Sequence, residues 1–305
     1  MNKAGIWLKA MRVPFFTAAV VPVMVGAGAA WWQKGEFHLG LFLLTALGMM
    51  AVQGGANMIN DYFDHLTGND DRNTEFSMFS GGSRVIQEGL VKPKAERNAA
   101  LLAFGVGAGI GLYLAYLRGW EIIAIGVAGI FLAYFYTAPL ICIVATGLGE
   151  LAIALGFGVL PVLGAYFVQT QTFSWEAFWL SLPVASLVAA ILYINEFPDL
   201  KSDQEAQKYT LVVRLGKKNA LWGYLFLMLF PYLLVLCGVI IKILPYPTLL
   251  ILLTLPLALK ALGNAWKNYG ETPKLLPSNA LTILTHLTSG ILLTVGAILN
   301  RMIAS

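Results

Sequence analysis

The chain alternates between long apolar runs and shorter polar connections. Nine apolar runs approach or reach the roughly 20 residues that a helix needs to cross a membrane. They cover residues 14–32, 39–59, 97–117, 120–136, 148–169, 177–196, 220–243, 247–264 and 279–300, and the run at 120–136 is the shortest. The pattern predicts an all-α polytopic membrane protein of about nine transmembrane helices, with residues 1–305 forming a single membrane-embedded domain.

The composition supports this interpretation. Hydrophobic residues make up 58% of the chain and charged residues 12%, whereas a soluble domain is roughly 25% charged. The basic N-terminus precedes an apolar run, as in a signal peptide, but that run continues to about residue 32 without a clear cleavage site. We therefore interpret it as a retained first span. We expect the two cysteines, Cys142 and Cys237, to be small apolar residues rather than a disulfide or a nucleophile.

The charges predict an orientation. With nine spans, the polar connections 60–96, 137–147, 197–219 and 265–278 lie on the same side as the N-terminus. Of the 20 Lys and Arg residues, only four lie on the opposite side, namely Lys34, Arg118, Lys242 and Arg301, which leaves 16 on the N-terminal side. Positive residues favour the cytoplasm, so we predict a multi-pass cell-membrane protein with a cytoplasmic N-terminus and cytoplasmic long loops. The net charge of +4 then requires no nucleic-acid partner.

A first acidic cluster follows the second span. If the helix continues past the membrane edge, Asn60, Asp61 and Asp64 project from neighbouring parts of one helical face. Asp70 follows after a turn that contains Gly68. These side chains offer the hard oxygen ligands that Mg²⁺ selects while it retains waters and substrate phosphate oxygens.

A second cluster ends the sixth span. Asn195, Asp199 and Asp203 recur at intervals of four residues, although Pro198 lies among them. Each cluster taken alone is compatible with a solvated helix end whose acids balance nearby basic residues. Two such clusters facing one compartment favour a different interpretation, because a diphosphate bridged by two Mg²⁺ ions needs a double set of carboxylates.

These motifs resemble the UbiA superfamily of intramembrane prenyltransferases. The resemblance also includes the segments Arg12-Val13-Pro14, Tyr136-Thr137-Ala138-Pro139, Gly147-Leu148-Gly149-Glu150 and TLVVRLG at 210–216. It implies helices around a central apolar chamber capped by cytoplasmic loops, with Asp64, Asp199 and Asp61 as catalytic residues. It further implies that Mg²⁺ and the diphosphate are held by Asn60, Asp61, Asp64, Asp70, Asn195, Asp199 and Asp203.

Basic residues near the clusters are candidate diphosphate ligands. The resemblance favours Arg84 and Lys208. We add Arg72, Arg12 and Lys201 to these candidates, and also the non-basic residue Tyr136. Arginine suits bidentate contacts with phosphate. The alternative for each basic residue is a positive charge that only sets the membrane orientation.

The segment SGGSRVIQEG at 80–89 is similar to that of 1,4-dihydroxy-2-naphthoate prenyltransferases, which act in menaquinone biosynthesis. The resemblance implies Mg²⁺-dependent transfer from a polyprenyl diphosphate to an aromatic acceptor within membrane lipid. The chain departs from that branch in ICIVATGLGE, which lacks the Lys and Arg common before GLGE, and at Gln207 and Tyr209.

Two alternatives remain open at the level of the sequence. The first is a prenyltransferase for 4-hydroxybenzoate, homogentisate or geranylgeranylglyceryl phosphate. The second is a transporter whose acidic sites bind coupling cations, although such sites usually lie near the membrane midplane.

Overall fold

The protein is described by a computed structural model over residues 2–304, and all regular secondary structure in that range is helical. The α-helices are α1 (Lys3–Ala10), α2 (Thr17–Lys34), α3 (Leu39–Thr67), α4 (Asn69–Arg72), α5 (Pro93–Arg118), α6 (Glu121–Phe135), α7 (Gly149–Ala154), α8 (Leu160–Thr170), α9 (Trp175–Glu205), α10 (Leu211–Ile240), α11 (Leu255–Asn268) and α12 (Thr272–Ala304). A π-helical turn, Leu155–Val159, joins α7 to α8, and 3₁₀ turns cover Val13–Phe16, Ile143–Thr146 and Tyr246–Thr254.

The predicted all-α architecture is confirmed. Within residues 2–304, eight helical segments are long and apolar enough to cross a membrane, and they correspond to eight of the nine predicted runs. The remaining run, 120–136, forms the 15-residue helix α6. At 1.5 Å per residue, α6 is only about 22 Å long, which is shorter than the roughly 30 Å hydrocarbon core of a bilayer.

Several helices extend beyond their apolar runs. The second run was predicted to end near residue 59, but α3 continues to Thr67. The connection predicted at 197–219 is largely helical, because α9 continues to Glu205 and α10 begins at Leu211. Hydropathy marks the part of a helix that lies in the membrane, whereas backbone hydrogen bonding continues into the polar region. Both acidic clusters therefore project from the ends of rigid helices.

Helix α9 lies at the centre of the bundle, packed against α2, α7, α10 and α12. Small residues allow close approach around it: a Cβ on Gly158 would lie 2.3 Å from the Ala185 Cα. A Cβ built on Gly26 of α2 would likewise lie 2.3 Å from the Val162 carbonyl oxygen. Such close contacts between small residues are typical of helix packing in membranes.

The segment 73–92, which we call the cap segment, has no regular secondary structure and connects α4 to α5. Glu75 attaches it to three helices: Lys201 Nζ lies 2.7 Å from Glu75 Oε1, Lys217 Nζ lies 3.7 Å from Oε2, and the Thr272 hydroxyl donates to Oε2 at 3.1 Å. Further along, Glu88 pairs with Lys9 of α1 at 2.6 Å. The cap segment is thus held over the end of the bundle where both acidic clusters lie.

Candidate active site

The two acidic clusters are joined by amide side chains on either side of Asp70. The Asn69 amide donates to Asp203 Oδ1 at 2.9 Å, and the Asn73 amide donates to Asp199 Oδ1 at 2.7 Å. The backbone N–H of Gly81 in the cap segment donates to Asp199 Oδ2 at 3.1 Å. These bonds fix the distance between the end of α3 and the end of α9, although the two lie more than 120 residues apart in the chain.

Lys208 lies between the two clusters. Its Nζ is 2.9 Å from Asp64 Oδ2 and 3.8 Å from Asp203 Oδ1. Burial alone would lower the pKa of Lys208, but the charges of Asp64 and Asp203 outweigh burial and raise that pKa. The side chain therefore carries a permanent positive charge that compensates the two carboxylates.

Arg12 makes the second buried ion pair of the site. Its guanidinium donates to Asp61, whose other carboxylate oxygen accepts from the Ser83 backbone N–H at 2.9 Å. Burial tends to lower the pKa of Arg12, but Asp61 and Asp70 raise it overall. Asp61 therefore positions Arg12 and the cap segment, and it is absent from the residues that line the polar cavity described below.

Asp70 is buried and incompletely satisfied. Asp70 is only 2% exposed. Its Oδ2 atom has no hydrogen-bond partner among the described residues. Burial first, and then the charges of Asp64 and Asp61, raise the pKa of Asp70 to about 8, while Arg12 acts in the opposite direction. Asn69 Oδ1 is also buried without a partner. Such unpartnered acceptor atoms are suited to a cation.

These side chains surround a polar cavity of about 100 Å³. Its lining includes the predicted ligands Asn60, Asp64, Asp70, Asn195, Asp199 and Asp203, together with Arg12, Lys208 and Tyr136. A second cavity of about 160 Å³, which we call the inner chamber, continues from it towards the middle of the bundle. Both cavities are bordered by Arg12, Asn60, Phe79, Tyr136, Leu192 and Asn195.

Three of the predicted basic ligands lie outside the polar cavity. The Arg84 guanidinium donates to the Asp70 carbonyl oxygen and stacks over the Phe76 ring at 4.4 Å. Arg72 is exposed, and the Lys201 side chain is 75% exposed and pairs with Glu75. Lys201 follows Asp199 by two positions on α9, and such residues point to different sides of a helix. Arg12 and Lys208 are therefore the basic side chains that the fold brings to the cavity.

Sequence reasoning missed several contributors. Asn69 and Asn73 received no role, and neither did Asn279 of α12, whose amide donates to Asn195 Oδ1 at 2.7 Å. These three residues form hydrogen bonds with partners that are distant in the sequence, so no local spacing predicts them. Glu196 does follow a local pattern, because it precedes Asp199 by three positions and so lies on nearly the same face of α9.

Glu196 and Glu150 form a buried acidic pair beside the polar cavity. Their residues are 5% and 7% exposed, and both carboxylate oxygens of Glu196 lack a hydrogen-bond partner among the described residues. Glu196 also lines the polar cavity. Glu196 therefore adds two unpartnered hydrogen-bond acceptors to the wall of the polar cavity.

The donor set can be compared with the needs of Mg²⁺. Within residues 2–304, no group of three or more His, Cys, Asp or Glu side chains converges closely enough to hold a metal ion unaided. Mg²⁺ in phosphate-transferring sites is commonly bound by one or two carboxylates, with substrate phosphates and waters completing its shell. A lining that offers carboxylate and amide oxygens, including an unpartnered Asp70 carboxylate oxygen, fits that mode of binding.

Comparison with known proteins gives consistent results. The sequence matches the UbiA prenyltransferase family over residues 19–298. It is 30% identical over 296 residues to the 2-carboxy-1,4-naphthoquinone phytyltransferase of Synechocystis sp., covering 95% of this chain and 92% of that protein. It is 32% identical over 260 residues to the 1,4-dihydroxy-2-naphthoate octaprenyltransferase of Mycobacterium tuberculosis, covering 84% and 85% of the two chains.

Solved structures share the fold. A UbiA homolog from Aeropyrum pernix K1 in its apo form superimposes with a TM-score of 0.70 at 17% identity, covering 94% of this chain and 98% of that one. A UbiA homolog from Archaeoglobus fulgidus bound to GPP and Mg²⁺ gives a TM-score of 0.61 at 14% identity, covering 95% and 99%. The family match and the eight membrane-length helices make the chain a multi-pass membrane protein.

Proposed function

The chain belongs to the UbiA prenyltransferase family, and from this premise we propose that it transfers a prenyl group from a polyprenyl diphosphate to 1,4-dihydroxy-2-naphthoate. The observation that carries the proposal is the junction between the charged polar cavity and the inner chamber. An amphipathic donor needs such a pair of compartments, one for its diphosphate and one for its isoprenoid tail. The naphthoate relatives support the choice of acceptor.

In this proposal the polar cavity binds the diphosphate. Lys208 and Arg12 neutralise part of its charge, and their buried ion pairs with Asp64 and Asp61 hold both cations in place. Asp64, Asp70, Asp199 and Asp203 would hold Mg²⁺, which would neutralise charge on the leaving group when bound. Asn60 and Asn195 border the same cavity and orient its contents through their amide groups.

The inner chamber accommodates the reacting carbon and the first part of the tail. Tyr136 and Phe79 border both cavities, so their rings lie where the C1–O bond of the donor breaks. Aromatic faces stabilise a developing cation, and the apolar walls formed by Phe157, Val188 and Ile191 exclude the water that would otherwise capture it. The aromatic acceptor then attacks C1 while the C1–O bond to the diphosphate breaks, and the ring regains its aromaticity by losing its carboxylate as CO₂.

The family decides between the enzyme and the transporter, because the relatives named above are prenyltransferases. The choice of acceptor depends on a direct assay. We would incubate detergent-purified protein and Mg²⁺ with geranylgeranyl diphosphate and with dihydroxynaphthoate, 4-hydroxybenzoate or geranylgeranylglyceryl phosphate. We expect one strong preference, for dihydroxynaphthoate.

The matched variants are Asp64→Asn and Asp199→Asn against Asp71→Asn. Asp64 and Asp199 line the polar cavity, whereas Asp71 lies on the neighbouring helix α4, where its side chain is 44% exposed and contacts His65 at 3.0 Å. We expect transfer to be lost in the first two variants and retained in the third. Transfer to a different acceptor would revise the branch, and equal activity of all three variants would contradict the assignment of the site.

A further inference from the structure

A third cavity of about 250 Å³ lies between α3, α5, α6 and α8. We call it the glycine cavity, because seven of its lining residues are glycines and most of the others are aliphatic. Thr45 is the one lining residue with a polar side chain, and its hydroxyl donates to the Leu41 carbonyl oxygen at 2.8 Å. The cavity therefore offers no free polar group and suits a hydrocarbon.

The glycines create this space. A Cβ built on Gly111 of α5, or on Gly126 or Gly129 of α6, would meet no atom within 4 Å. Any larger side chain at these positions would project into unoccupied volume instead of clashing with a neighbouring helix. The packing of the bundle thus leaves unfilled space beside these three glycines.

The glycine cavity adjoins the inner chamber. Phe157, in the π-helical turn between α7 and α8, borders both. One face of α3 also runs along both: Asn60 and Gln53 line the inner chamber, and then Met49 and Thr45 line the glycine cavity. The spacing of these residues is that of a single helical stripe.

The length of this stripe can be compared with an isoprenoid chain. From Asn60 to Thr45, α3 rises about 22 Å at 1.5 Å per residue. Standard carbon bond lengths of about 1.5 Å give an extended isoprenoid about 5 Å for each five-carbon unit. About four units therefore span the distance from the polar cavity to the far end of the glycine cavity.

We propose that the glycine cavity binds the distal isoprene units of the donor, and that Gly111 and Gly126 allow the enzyme to use long donors. The inference rests on the proposed function and adds to it a chain-length determinant. We assign the cavity to the tail of the substrate rather than to a membrane lipid, because it adjoins the chamber that receives C1 and shares Phe157 with it. Leu112, Ile123 and Val127 line it and are exposed, so units beyond the fourth leave between α5 and α6.

The test is the ratio of kcat/KM for geranylgeranyl diphosphate to kcat/KM for geranyl diphosphate. Gly111→Leu places a side chain in the glycine cavity. Gly109→Leu is the matched control, because Gly109 lies on the same helix, also has no atom within 4 Å of a built Cβ, and is absent from the cavity lining. We expect Gly111→Leu to lower the ratio at least tenfold and Gly109→Leu to leave it unchanged.

Gly126→Leu fills the cavity from the opposite wall and must lower the ratio in the same way. An unchanged ratio in both filling variants, or an equal loss of activity with both donors, would overturn the inference and leave a lipid as the occupant. The proposed function fails in a distinguishable way, because the unmodified protein would then transfer neither donor to any acceptor.

Discussion

Gly82 is a residue at which the cap segment packs closely against an acidic side chain of the site. Its backbone has a φ of +78°, and a built Cβ would lie 2.3 Å from Asp70 Oδ2. We predict that Gly82→Ala displaces Asp70 and lowers kcat/KM about tenfold or more, because overpacking costs about 1–3 kcal/mol. Steady-state kinetics at several Mg²⁺ concentrations would measure the effect.

Gly89 provides the control for this prediction. It also has a positive φ, +68°, but no atom lies within 4 Å of a built Cβ. Gly89→Ala therefore introduces backbone strain without a contact to the site, and we expect kcat/KM to remain within twofold of the unmodified enzyme. Equal losses in both variants would show that backbone strain, and not Asp70, explains the effect.

Asp70 gives the site a pH dependence. Burial and the neighbouring carboxylates raise its pKa to about 8, against an ordinary value near 4. The folded protein thus binds this proton more tightly than the unfolded chain does. The stabilisation from this group is complete below about pH 4 and is lost as the pH rises to about 8.

The Asp70 carboxyl group must lose this proton before it can bind Mg²⁺. We predict that the apparent affinity for Mg²⁺ increases as the pH rises from 6 to 8, by up to about tenfold per pH unit for one displaced proton. The Mg²⁺-dependent rise of Tm should accordingly be larger at pH 8 than at pH 6. A constant Mg²⁺ affinity over this range, or the same pH dependence in Asp70→Asn, would contradict the prediction.

Among the elements, the short connection between α9 and α10 has the greatest effect on the site, because it places Lys208 between the clusters. The Lys208 side chain is 15% exposed and pairs with Asp64 and Asp203. Removing one partner of a buried ion pair costs about 3–5 kcal/mol. We predict that Lys208→Ala weakens the binding of the donor diphosphate and lowers the Tm measured without Mg²⁺, and that Mg²⁺ restores part of the Tm.

Lys201 is the corresponding control near the end of α9. Its ion pair with Glu75 is exposed, and such pairs contribute about 0–1 kcal/mol. Lys201→Ala should therefore change neither donor affinity nor Tm appreciably. A large loss of donor affinity in Lys201→Ala would restore this residue as a diphosphate ligand, as the sequence alone suggested.

The elements also show how far sequence reasoning extends. The i, i+4 spacing of Asn60 and Asp64, or of Asn195 and Asp199, placed each cluster on one helical face, because that relation is local. The partners of Arg84 and Lys201 depend on the path of the cap segment, which has no periodic pattern. Sequence reasoning could not identify their partners for that reason.

For the whole molecule, the distribution of positive charge predicts an orientation that can be measured. Thr172 and Glu271 are both exposed and lie at opposite ends of the bundle. In a variant without Cys142 and Cys237, a membrane-impermeant maleimide added to intact cells should label Thr172→Cys and not Glu271→Cys. Inverted membrane vesicles should give the reverse. The opposite pattern would place the active site on the outer face.

The number of crossing helices is the feature of the whole molecule that hydropathy predicted least well. The runs at 14–32 and 279–300 are long and unambiguous, and their helices are confirmed. The run at 120–136 is shorter than the roughly 20 apolar residues that a membrane span needs. Its helix ends at Phe135, because the turn before Pro139 interrupts the backbone pattern.

The short helix α6 affects the surrounding bilayer. A helix of about 22 Å cannot match a hydrocarbon core of about 30 Å, so the acyl chains beside α6 must compress, or the segment 136–147 must lie below the headgroups. Hydrophobic mismatch of this kind costs fractions of a kcal/mol per Å. The catalytic rate should therefore depend on the acyl-chain length of the host lipid and reach its maximum in thin bilayers.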